Sequence, residues 1–65
     1  MMFIIQGEEK AFNAGNMAAH LEKMTGETND KFYDVAIVKL FNMEKVGQLE
    51  GFFIAGKVVI VIKVG

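Results

Sequence analysis

Five residue types are missing from this chain of 65 residues: cysteine, serine, arginine, proline and tryptophan. Without cysteine no disulfide can brace the fold, and one histidine is too few for a structural zinc site. The commonest covalent nucleophiles, serine and cysteine, are gone together. Without arginine there is no planar fork to grip a phosphate or a carboxylate through two parallel bonds. These absences exclude the usual routes to catalysis, so the chain is expected to be no enzyme and to take no cofactor or metal.

Long hydrophobic runs are missing too. Even Val58 to Ile62 falls far short of the roughly 20 residues a membrane-spanning helix needs. The start, Met1-Met2-Phe3-Ile4-Ile5-Gln6, has neither a basic region nor a small-residue cleavage site. A cytoplasmic chain with no membrane contact is the expectation. Charge of one sign is lacking as well: seven basic against eight acidic residues leave a net charge of −1, so no overall field selects nucleic acid or anionic lipid.

What the chain does have is apolar strand sequence. Hydrophobic residues make up 52% of it, with seven glycines besides, above the roughly 45–50%, glycine included, of ordinary globular domains. A domain this small buries only about 60% of the surface its unfolded chain exposes. Self-association is therefore expected to help stabilise it.

The pattern along the chain predicts a single small α+β domain over residues 1–65. One helix lies on a mainly antiparallel four-stranded sheet, in the order β-α-β-β-β, and the assembly is a homodimer. The first strand is expected near Met2 to Gln6. A helix follows over Glu9 to Thr25, because Ala11, Ala14, Met17, Ala18, Leu21 and Met24 recur at spacings of three and four. Gly26 stands where a left-handed residue would close that helix. Residues 25–32 read as a polar loop. Tyr33 to Phe41, rich in β-branched and aromatic residues, reads as the second strand, and a first strand pairing with it in parallel would make the helix a right-handed crossover. Residues 46–54 and 57–64 supply the last two strands.

Ala55-Gly56 between them fits either a two-residue loop or, since alanine dislikes positive φ, a type I turn with a bulge at Gly56. The bulge is favoured on that ground. In the two-residue register one face carries Leu49, Phe53, Val58, Ile60, Ile62 and Val64, expected as core beneath the helix. The other carries Phe52, Ile54, Val59 and Val61 inside a charged edge, which is how the core and rim of an oligomer interface are distributed.

Few residues point to chemistry. His20 falls on the helix side that also holds Asn13, Asn16 and Lys23, with no carboxylate three or four positions away to orient it as a base. A solvated or partner-contacting histidine is the commoner fate of such a residue. Phe12, beyond the stripe, extends that side, so Phe12, Asn13, Asn16, His20 and Lys23 are the candidate partner-binding set. The small-residue row Ala11, Gly15, Ala19 allows another backbone to come close, across a dimer or, more commonly, from the chain's own sheet. Asn29-Asp30 beside Asp34 lacks the offsets of a calcium loop.

The functional expectation is a homodimeric, non-enzymatic protein-interaction module, a small regulator or inhibitor of another protein. The alternative is a single-stranded nucleic-acid binder that stacks bases on Tyr33 and Phe41 beside Lys39, Lys57 and Lys63. Nucleic acid is the weaker of the two, because arginine is absent and the chain is slightly acidic.

Overall fold

The computed structural model describes residues 1–65. It contains β1 (Met2–Ile5), β2 (Ala11–Asn13), α1 (Ala14–Met24), α2 (Asp30–Phe41), β3 (Leu49–Ile54) and β4 (Lys57–Lys63). The architecture is α+β, as expected, but it has two helices and the order is β-β-α-α-β-β. The sheet runs β2-β1-β4-β3 with every neighbouring pair antiparallel. No parallel pair exists, so the expected crossover is absent. Both helices lie on one face of the sheet and the other face carries none.

The helix over Glu9 to Thr25 is shorter than its periodicity suggested. Ala11 and Phe12 pair instead with Ile4 and Phe3 in a hairpin. Asn13 stays extended, and its side-chain oxygen accepts a hydrogen bond from the Asn16 backbone N–H at 2.8 Å. That contact caps one of the donors a helix start leaves unpaired. From there Ala14, Met17, Ala18 and Leu21 are buried, and Met24 faces outward. At the far end Gly26, at φ 78°, donates to the Lys23 carbonyl at 3.1 Å, the left-handed closure expected of it.

The segment expected as the second strand is α2. Asn29 caps it, its side-chain oxygen accepting from the backbone N–H groups of Lys31 and Phe32 at 3.1 and 3.3 Å. Phe32, Tyr33, Ala36, Ile37 and Leu40 face inward, a set spaced at the helical rather than the strand period. Asp30 in the first turn and Lys39 in the last suit the helix dipole. The sheet therefore has a second covering helix that was not expected.

Ala55 and Gly56 form a two-residue loop, with φ of 51° and 79°, between the paired residues Ile54 and Lys57. Positive φ at both positions belongs to a type I′ turn, whose twist matches that of the strands. The bulge favoured from sequence does not form. The register is the simpler one, but its two faces have exchanged roles. Phe52, Ile54 and Val61 are buried against the helices with Val59 packed on them, whereas Leu49, Phe53, Val58 and Val64 are exposed. Phe3 and Ile5 of β1 share the inner face, and the core closes with Met43 from the segment after α2. No polar side chain is buried in it.

Candidate functional site

The β1–β2 hairpin and α1 enclose an open groove of about 530 Å³. Phe12, Asn13, Asn16, His20 and Lys23 all line it, joined by Glu8, Lys10 and Met2. The five residues read as one helix side thus lie on one surface, although two of them precede the helix. Phe12 reaches the groove from β2, the strand that replaces the expected first turn and a half of helix. Asn13 and Asn16 enter at the helix start, and His20 and Lys23 follow one and two turns further along α1.

Phe12 is the centre of the site. The His20 imidazole stacks on its ring with centroids 4.7 Å apart and planes inclined by 18°. The Lys10 ammonium stands over the same ring at 5.1 Å from the centroid, a distance at which the ring's negative face attracts a cation. Phe12 is half-buried and packs on the core, so the hairpin fixes the ring and the ring fixes the imidazole. His20 thus lines the groove with the face of its imidazole against an aromatic ring.

Two lysines, an imidazole and two amides line the groove against a single carboxylate, Glu8. The apolar part is Phe12 with Met2, Ala11 and Ala19. Such a surface accepts an acidic side chain beside an apolar one. Lys10 and Glu8 were not among the candidates drawn from sequence. The hairpin loop brings them in, and only a strand at Ala11–Asn13 would have revealed it.

The remaining candidates are dispersed. Phe52, Ile54, Val59 and Val61, expected to meet another chain, lie beneath the helices as described above. Of the nucleic-acid set, Tyr33, Lys39 and Phe41 stand on α2 while Lys57 and Lys63 belong to β4, so they share no sheet face. Lys39 stands 5.4 Å over the buried Phe52 ring. Lys63 donates from its ammonium to the carbonyls of Met43 and Glu44, both at 3.1 Å, tying the segment before β3 to β4. Tyr33 turns toward α1, where its hydroxyl would meet a side chain placed on Gly15 at 3.7 Å. Gly15, from the small-residue row, therefore faces the second helix of its own chain. No three His, Asp or Glu side chains converge as they would to hold a metal ion. No helix is long and apolar enough to cross a membrane. Comparison with protein-family models, curated proteins and solved structures returns no match for this chain.

Proposed function

We propose that this chain is a non-enzymatic protein-interaction module. It works as a homodimer and regulates or inhibits a second protein, one that presents an acidic residue beside an apolar one to the groove around Phe12. One observation carries the reading: eleven large hydrophobic side chains stand exposed, nearly as many as the twelve residues of the core. Isolated apolar residues on a surface are ordinary, but apolar residues in contiguous patches mark contact with other molecules. The groove adds an aromatic ring and a methionine, residue types enriched where proteins meet, set among lysines and amides that can complement a polar rim. A chain without cysteine suits a reducing compartment, and the reading places it in the cytoplasm.

Solution mass across a dilution series tests the homodimer: twice the chain mass at high concentration, falling on dilution, is the expected result. A single-chain mass throughout would remove that half of the reading. Lysine-directed cross-linking of a captured partner tests the groove, with links expected at Lys10 and Lys23. Links confined to Lys31, Lys45 or Lys57 would place the contact elsewhere.

A further inference from the structure

The groove is not the largest feature the fold leaves open. Side chains alternate across a strand, so each strand of this sheet presents one set to the helices and one away from them. On the outward side Leu49 stands beside Ile62, and Phe53 beside Val58. Ile60 shares that side, and Ile4 of β1 extends it beyond Ile62. Gly51 supplies no side chain, yet the space above it is occupied, since an added Cβ would lie 3.6 Å from a methyl of Ile60 and 3.7 Å from one of Val58. The result is a continuous apolar face. Every charged residue of β3 and β4, namely Glu50, Lys57 and Lys63, occupies an alternate position and belongs to the other side.

The exposures are large: 75% for Phe53, 66% for Val58, 57% for Leu49 and 41% for Val64. With the partly exposed isoleucines they make a patch on the order of 500 Å², at the upper end of what a typical monomer shows. Two such patches in contact bury about 1,000 Å², the lower bound for a specific interface. Area alone does not choose the occupant. Charge does: a face without ionic groups meets its own copy about a two-fold axis with no like charges opposed and none desolvated. Twisted sheets also pack face to face, about 10 Å apart, when both inner faces are apolar. The competing surface is the outward stripe of α2, with Val35, Val38 and Phe41 at 56–58% exposure. Lys31, Asp34 and Lys39 interrupt the same helix, and a helix stripe offers less area than a four-stranded face.

We infer that a second copy of this chain covers the helix-free face of the sheet, giving a dimer of four layers, helices outside and two sheets within, centred on Phe53 and Val58. The inference rests on the homodimer proposed above and identifies its surface. Phe12 pairs with the inward-facing Phe3 and His20 stands on α1, so the stacked pair at the centre of each groove lies on the helix side of its sheet and a dimer presents two such centres.

Sedimentation across a dilution series tests it with the intact chain and two variants. Val58→Lys places a charge at the centre of the contact and is expected to weaken dimerisation roughly a hundredfold or more. Val38→Lys, on α2, is expected to leave the dimer unchanged. Val58 is exposed in the single chain, so the circular dichroism of the Val58→Lys variant should match that of the diluted parent. Phe53→Gln provides the same test should Val58→Lys fail to fold. A dimer that survives Val58→Lys and Phe53→Gln overturns the sheet-face assignment while leaving the homodimer standing. Loss of the dimer through Val38→Lys alone does the same and transfers the contact to α2. A parent chain that is monomeric throughout overturns both.

Discussion

At the scale of single residues, Ala55 is the one that departs from its own preference. It is the only non-glycine residue with positive φ, at 51°, a conformation that costs an L-residue with a Cβ roughly 1–2 kcal/mol. Alanine's reluctance argued for a bulge, but Ile54 opposite Lys57 leaves only two residues for the turn, and the cross-strand pairs that follow outweigh the strain. Asparagine tolerates the left-handed region and forms type I′ turns with a following glycine. Ala55→Asn should therefore raise the unfolding free energy by about 0.5–1 kcal/mol, read as a higher urea midpoint at unchanged slope. Ala55→Val should lower it. Had the bulged turn formed, Ala55 would sit at negative φ and asparagine would bring no gain.

At the scale of elements, legibility depended on whether one period dominated. The buried half of α1 was plain because Ala14, Met17, Ala18 and Leu21 keep a single stripe. Its start was hidden by Ala11, which fits the same spacing yet pairs with Ile4 in the sheet, and by the absence of any serine to mark the cap. Asn13 does that work. In α2 the β-branched residues Val35, Ile37 and Val38 gave strand composition to a helix. The available warning was that an alternating reading left both faces apolar, whereas the helical reading gathers Phe32, Tyr33, Ala36, Ile37 and Leu40. The other signal was Asn29, and removing its side chain tests the assignment. Asn29→Ala should lower stability by about 1 kcal/mol, with part of the loss seen as faster amide exchange in the first turn of α2.

The hairpin faces were exchanged for a related reason. Once β3 and β4 are apolar on both sides, nothing within them says which side the helices choose. Phe52 and Phe53 decide between the assignments. Phe52 is 4% exposed and Phe53 75%, so in the dilute, single-chain state Phe52→Ala should cost about 3–5 kcal/mol and Phe53→Ala less than about 0.5. The arrangement drawn from sequence requires the reverse order.

For the whole molecule, the excess of apolar residues was legible and its location was not. With a second helix, the apolar residues Phe52, Ile54 and Val61 on one side of the sheet are buried, and the exposed strand residues Leu49, Phe53 and Val58 lie on the opposite side. The groove was legible for a different reason: Asn16, His20 and Lys23 keep one side of α1, and Phe12 and Asn13 remain next to it whether residues 11–13 are helix or strand. Coupling between folding and association then follows from mass action. A partner copy that binds only the folded chain stabilises it by an amount that grows with concentration. For a domain of this length the total is of order 3–10 kcal/mol, so even a micromolar dimer supplies a large fraction of it. The thermal midpoint of the parent chain should rise by several degrees per hundredfold increase in concentration, measured by circular dichroism at matched heating rates. The Val58→Lys variant should melt at one temperature across the same range, near the dilute limit of the parent, because the outward face no longer gains from a second copy while the core of Phe3, Leu21, Leu40 and Val61 is untouched.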